Sequence, residues 1–168
     1  MSARRRVAEF MTEQIAKAYE ISADWQMNHL ARGVFINGDY APADEAEQWV
    51  EDLISGMVAA MADAGVDVAR GPVRVQDGKA FVKLDGNDFM VRDIDEEGDR
   101  APASLERVLS RFAAIAERRG CAERWYYWYT GDPVGMAYFV TPKELMTPGG
   151  VDVRNLGTGD QWYEAQPD

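Results

Sequence analysis

The stretch Val73-Arg74-Val75-Gln76-Asp77-Gly78-Lys79-Ala80-Phe81-Val82-Lys83-Leu84-Asp85-Gly86-Asn87-Asp88-Phe89-Met90-Val91-Arg92 decides the fold class. Three short apolar runs (Val73-Arg74-Val75, Ala80 to Leu84 and Phe89 to Arg92) are separated by two Asp-Gly pairs. A tight hairpin turn needs positive φ at both central positions, which Asp-Gly supplies at low steric cost. The pattern therefore predicts consecutive antiparallel strands, with no room for a crossover helix.

Helical periodicity lies on both sides of this stretch. Upstream, Pro42, Asp44, Glu45 and Glu47 open a helix predicted over 42–65. Proline suits a first turn, and carboxylates suit the positive end of the helix dipole. Trp49, Leu53, Met57, Ala60 and Ala64 form its buried stripe, and Gly65 closes it. Downstream, Leu105, Val108, Leu109, Phe112, Ile115 and Ala116 mark a helix over 102–119, stopped by Gly120. Near the N-terminus Val7, Met11, Ile15, Ala18, Ser22 and Trp25 recur at three- and four-residue spacings, which lays them along one helical face. Ser22 alternatively caps a separate short helix over 23–31, and Asn37-Gly38-Asp39 marks a turn.

Two aromatic strands follow the last helix, over 125–130 and 136–141, joined across Gly131-Asp132-Pro133-Val134-Gly135. Val151-Asp152-Val153-Arg154 reads as a last strand. Adjacent hairpins with segregated helices give an α+β fold: an antiparallel sheet of about five to six strands, in two hairpin regions, against about three helices.

The chain has 168 residues, which predicts one domain over 1–168, and its 46% apolar and 28% charged content is that of a globular protein. One Cys excludes an internal disulfide, and one His excludes a multi-histidine metal site. The basic start Met1-Ser2-Ala3-Arg4-Arg5-Arg6 is followed by Glu9 and Glu13 where a signal peptide needs an apolar run. No membrane partner and a cytoplasmic location are the expectation.

Eighteen Lys/Arg against 29 Asp/Glu give a net charge of −11. It is not evenly spread. Asp39, Asp44, Glu45, Glu47, Glu51, Asp52, Asp63 and Asp67 occur with no intervening cation, and Asp85, Asp88, Asp93, Asp95, Glu96, Glu97 and Asp99 occur with only Arg92. Asp44, Glu47, Glu51 and Asp52 fall opposite the Trp49–Leu53–Met57 stripe, as a solvated helix face does. Joined to Asp93, Asp95, Glu96, Glu97 and Asp99, they would make an anionic surface suited to a basic protein partner, even one imitating nucleic-acid phosphates. The same charge makes direct nucleic-acid binding an unexpected role. Arg107, Arg111 and Arg118 lie on one side of the 102–119 helix, either as a soluble face or as an anion contact.

Candidate chemistry is sparse. Asp93-Ile94-Asp95-Glu96-Glu97-Gly98-Asp99 opens like a calcium loop, but Arg100 and Ser104 stand where an apolar residue and a bidentate Glu belong. Cys121 and His29 are the only thiol and imidazole, with nothing local to pair them, and no cofactor motif occurs. In the run Trp125-Tyr126-Tyr127-Trp128-Tyr129, alternate rings face opposite ways, so Trp125, Tyr127 and Tyr129, extended by Tyr138 and Phe139 on the neighbouring strand, form a candidate aromatic platform. The leading expectation is a non-catalytic interaction protein of inhibitor, immunity or anti-defence type, bacterial or phage. A ligand-binding protein or enzyme with an aromatic pocket, and a phage-type assembly subunit, are the alternatives.

Overall fold

The computed structural model describes residues 3–130 and 132–168; Met1 and Ser2 of the basic start and Gly131 of the last predicted hairpin lie outside the described residues. It is α+β. Among the described residues there are four α-helices: α1 (Ala3–Asn28), α2 (Ala46–Asp63), the one-turn α3 (Ile94–Glu97) and α4 (Pro102–Arg118). The strands are β1 (Gly33–Asn37), β2 (Arg74–Gln76), β3 (Lys79–Leu84), β4 (Asn87–Asp93), β5 (Arg124–Tyr129), β6 (Val134–Val140) and β7 (Gln161–Glu164).

Both Asp-Gly turns form as the sequence predicts. Asp77 and Gly78 have φ of 51° and 71°, and Asp85 and Gly86 have φ of 50° and 82°. These turns close the antiparallel sheet β2-β3-β4. The remaining strands form a second antiparallel sheet ordered β1-β6-β5-β7. The seven strands thus exceed the predicted five to six by adding β1 and β7, and they divide between two sheets instead of one. Residues 151–154 are no strand: Val153–Asn155 is a 3-10 turn, capped by the Asp152 side chain, which accepts from the Arg154 N–H.

Helices α2 and α4 share one core with both sheets. In α4, Phe112, Ala113, Ala114, Ile115 and Ala116 are all buried. Five consecutive positions sweep more than a full turn, so this end of α4 is covered on every side. Val34 and Ile36 of β1, Val82 and Leu84 of β3, Val91 of β4 and Trp125 and Phe139 of the aromatic strands join the same core. Gly56 on α2 lets β1 approach, since a Cβ there would sit 2.8 Å from Val34 Cγ1.

The far face of the larger sheet carries a smaller cluster: Trp25 from α1 with Tyr126, Tyr138, Val140, Leu145 and Val153. Trp25 donates Nε1–H to the Glu144 carbonyl (2.7 Å) and meets the Tyr138 ring edge-on at 4.9 Å. Helix α1 is continuous through Ser22, without the separate helix over 23–31, and only Ser22 and Trp25 of its predicted stripe are buried. Val7, Met11 and Ile15 stand in solvent.

At the end of β4, Arg92 is fully buried. Its Nη2 donates to the Ala41 carbonyl and to the Gly98 carbonyl (2.5 Å), and its guanidinium lies 5.3 Å from the Trp49 ring centroid. Arg92→Ala removes both bonds and leaves a void, so it should lower unfolding stability by about 3 kcal/mol. Urea denaturation followed by circular dichroism measures this; an unchanged midpoint would contradict the role given to Arg92.

Candidate functional site

The two acidic segments meet in space through their loops. Asp99 accepts the Ala43 N–H on its carboxylate (2.9 Å) and the Ala41 N–H on its carbonyl (2.8 Å). Gly38 and Ala101 are joined by a backbone bond of 2.9 Å, and Arg100 pairs with Asp39 at 2.8 Å.

Much of the acidity is spent internally. Arg70 takes Glu51 with both terminal nitrogens, at 2.9 and 2.6 Å, while Ser55 also donates to it. These hydrogen bonds hold the Glu51 carboxyl below its ordinary pKa. Asp93 pairs with Lys79 at 3.1 Å and caps α3 by accepting from Glu96 N–H; both bonds, with Lys79 the stronger influence, lower its pKa. The Glu97 carboxylate accepts from Asp93 N–H, Ser104 N–H and Ser104 Oγ–H, which clasps α3 to the start of α4. The carboxylates of Asp93, Glu97 and Asp99 in the calcium-like loop therefore face protein donors. Among the described residues, no group of three or more His, Cys, Asp or Glu side chains is placed to hold a metal.

Other acids stand exposed without an ion-pair partner among the described residues. Asp44 and Glu45 lie in the 3-10 turn before α2 and Glu47 and Asp52 on its N-terminal half, with Asp99 bonded to Ala43 beside that turn. Asp95 and Glu96 lie on α3 by the β2–β3 turn. The predicted patch is thus divided: Glu51, Asp93 and Glu97 hold the fold, and the others face solvent.

Of these acids, Asp52 borders a groove of about 420 Å³ between α2 and β1, lined also by Phe35, Asn37, Tyr40, Trp49 and Gly56. Strand β1 is the outermost strand of its sheet. Gly38 N–H donates to the Pro133 carbonyl at 2.7 Å, and antiparallel alternation then turns the backbones of Val34 and Ile36 toward β6. Gly33, Phe35 and Asn37 point theirs outward. The Gly33 N–H bonds Leu30 O, and Trp49 Nε1–H bonds Asn37 O at 3.0 Å. The Phe35 N–H and C=O are left at an open edge. The Phe35 and Tyr40 side chains beside it are 64% and 71% exposed, which makes this edge apolar as well as acidic.

The other predicted groupings come apart. Arg107 donates to the Val91 carbonyl (2.5 Å), and Arg111 pairs with Asp168 (2.7 Å) over the Phe89 ring (4.6 Å). Only Arg118 of the three stays exposed without an ion pair among the described residues. Trp125 is packed between Phe112 and Phe139, while Tyr127, Tyr129 and Tyr163 lie against one another with centroids 5.3 to 6.0 Å apart. Burial raises the Tyr127 and Tyr129 pKa values. Tyr138 pairs in register with Tyr126 and so occupies the opposite sheet face; Phe139, across from Trp125, is the residue that continues the Tyr127 face. Burial raises the Cys121 pKa as it packs on the main core, whereas His29 stacks on Trp25 (4.2 Å) in the smaller cluster.

The groove's aromatic side, Phe35 with Tyr40, is absent from the sequence reading. Its one signal is the alternation Val34-Phe35-Ile36 between Gly33 and the Asn37-Gly38 turn.

Depressed carboxyl pKa values stabilise the fold above the ordinary carboxylate range, and that contribution is lost as pH falls through the folded value. For Glu51 the loss starts below its ordinary 4.5. Glu51→Gln should therefore flatten the decline of stability between about pH 5 and pH 3, with a cost near neutrality of only about 0.5 kcal/mol because the pair is partly exposed. Urea midpoints across that range measure it, and an unchanged acid slope would contradict the Arg70 pairing. Compared with known proteins, the chain matches no family model, no curated protein and no solved structure.

Proposed function

We propose that this protein is a non-catalytic interaction module that binds a basic partner protein, taking an extended Lys/Arg-bearing segment into the groove between β1 and α2. The observation that carries the reading is the coincidence of an open strand edge with an exposed carboxylate that has no ion-pair partner among the described residues. Phe35 offers a backbone donor and acceptor, and the exposed Asp52 lines the same groove, while Asp44, Glu45 and Glu47 add negative charge around the start of α2.

An added strand gains affinity from main-chain hydrogen bonds and specificity from alternate side chains. Here one side of such a strand would meet Phe35 and Tyr40, and the other would meet Asp52 and the first turns of α2. Acidic flanks raise the association rate of a basic segment and repel phosphate backbones. An inhibitor of a nucleic-acid-binding protein fits this chemistry, because an acidic surface competes with phosphates for the same cations. The free Cys121 fits a reducing, cytoplasmic setting.

The test is a titration of isotope-labelled protein with a short peptide of alternating lysine and valine, followed by amide NMR shifts. Phe35, Asn37 and the Trp49 indole should move, and the Phe35 amide should become protected from exchange. Asp52→Lys should weaken binding at least about tenfold, and high salt should weaken it too. Shifts confined to another surface, or affinity indifferent to the reversal, would reject the reading.

A further inference from the structure

Helix α1 has a second, independent surface. Its 26 residues span about 39 Å, yet the body of the protein covers only the last third. Val7, Phe10, Met11 and Ile15 are 62%, 58%, 54% and 49% exposed. Val7, Met11, Gln14, Ala18, Ile21 and Trp25 follow one another at steps of four and three, a continuous seam of coiled-coil type that disappears into the body at Trp25. A helix with such a face exposed is marginal alone and gains most of its stability from packing.

At the foot of the seam a cavity of about 730 Å³ opens beside α1, where Ile21, Trp25, Met146 and Val151 supply apolar walls, Asp24 and Glu144 supply acid and Lys17 one cation. Glu144 also lies 3.6 Å from Arg32. The charge along α1 says what fits. Arg4, Arg5 and Arg6 occupy a first turn that holds no acid, against the preference of the helix dipole. The rest of the helix carries Glu9, Glu13, Glu20 and Asp24 against Lys17. The helix is thus cationic at its tip and anionic toward its base.

Arg6, Glu13, Lys17 and Asp24 share one flank of the seam within about 40°. Arg6 and Asp24 are equidistant from Ile15, and so are Glu13 and Lys17. A second α1 running antiparallel about Ile15 sets Arg6 against Asp24 and Glu13 against Lys17, twice each by symmetry. A parallel pair instead sets this flank against the opposite flank of the partner and makes neither pairing.

We propose that α1 docks on the α1 of a second copy of this chain, antiparallel about a two-fold axis near Ile15, with each cationic tip entering the other copy's cavity. The contact is isologous and closes as a dimer. It uses no residue of the β1–α2 groove and stands whether or not that groove binds a partner.

Sedimentation equilibrium of the full chain over a concentration series tests it. The wild-type chain should associate to a dimer. Met11→Glu should give a monomer with unchanged circular dichroism of the folded body, since Met11 touches no core residue. Arg6→Glu and Asp24→Arg should each weaken the dimer at least about tenfold through like-charge contact. The double reversal should restore it to within about threefold. A wild-type chain monomeric at every concentration, a dimer indifferent to Met11→Glu, or a double reversal no better than the single ones would overturn the proposal. So would a monomer that instead co-sediments with anionic lipid vesicles.

Discussion

A single buried cation organises the acidic half of the molecule. Arg92 ends β4 inside the protein, and a guanidinium out of water is tolerated only with partners. Its Nη2 finds the Ala41 and Gly98 carbonyls and its plane the face of Trp49, while Nε and Nη1 have no hydrogen-bond partner among the described residues. Glu97 and Asp99 offset in part the downward pull of burial on its pKa. These contacts draw the loop before α2 onto the loop before α4, and the Ala41–Asp99 and Gly38–Ala101 bonds complete the junction. Because Gly38 also bonds Pro133, the junction holds the end of β1 against β6. The open edge of β1 and the start of α2 are thus held in fixed relation by one arginine.

This arrangement changes what the net charge means. Asp39, Glu51, Asp63, Asp85, Asp88, Asp93 and Glu97 are each paired with a cation from elsewhere in the chain. The part-buried pairs among them, such as Arg70–Glu51, Arg119–Asp85 and Arg107–Glu97, tie together strands and loops distant in sequence, whereas the exposed Arg74–Asp88 and Arg100–Asp39 pairs mainly cancel charge. Asp44, Glu45 and Glu47 have a local role at the positive end of α2, but that role leaves their outer surface free. The field available to a partner comes from this smaller set.

The elements read most clearly from sequence were those whose signal is local. Asp77-Gly78 and Asp85-Gly86 carry their turn conformation in their own residues, and Pro102 with Gly120 brackets α4 without reference to anything distant. What escaped is non-local. β1 is five residues long and pairs with β6 about a hundred residues away, and β7 lies in a Gly-rich tail whose Trp162 and Tyr163 find β5 only in the fold. With those two strands unseen, neither the division into two sheets nor the open edge at Phe35 was legible. The acidic residues themselves were legible, but their division into paired and unpaired was not. The cations that pair with Glu51 and Asp93, Arg70 and Lys79, are neighbours only after folding. The Tyr138 grouping failed for a related reason: which β6 residue shares a face with Trp125 depends on the register between β5 and β6, which alternation within one strand does not fix.

The two surfaces differ in what binding must supply. The groove is preformed: Trp49 is hydrogen-bonded to Asn37, Gly56 is in contact with Val34, and Arg92 locks the adjoining loops, so an incoming strand orders mainly itself. The outer part of α1 is the reverse case. Residues 3–17 are exposed and Tyr19 bonds the Thr158 carbonyl through its hydroxyl at 2.8 Å, so in a single copy the turns before Tyr19 rest mainly on helix propensity and local side-chain pairs such as Arg5–Glu9. Association at α1 therefore contributes to the stability of the helix itself, and helix content and oligomeric state become linked quantities. A rigid acidic groove suits fast, salt-dependent capture, whereas a helix completed by its partner suits assembly that responds to concentration. One chain carrying both can bring two copies of the groove to the same target, where the second engagement is intramolecular and avidity exceeds the strength of either groove alone.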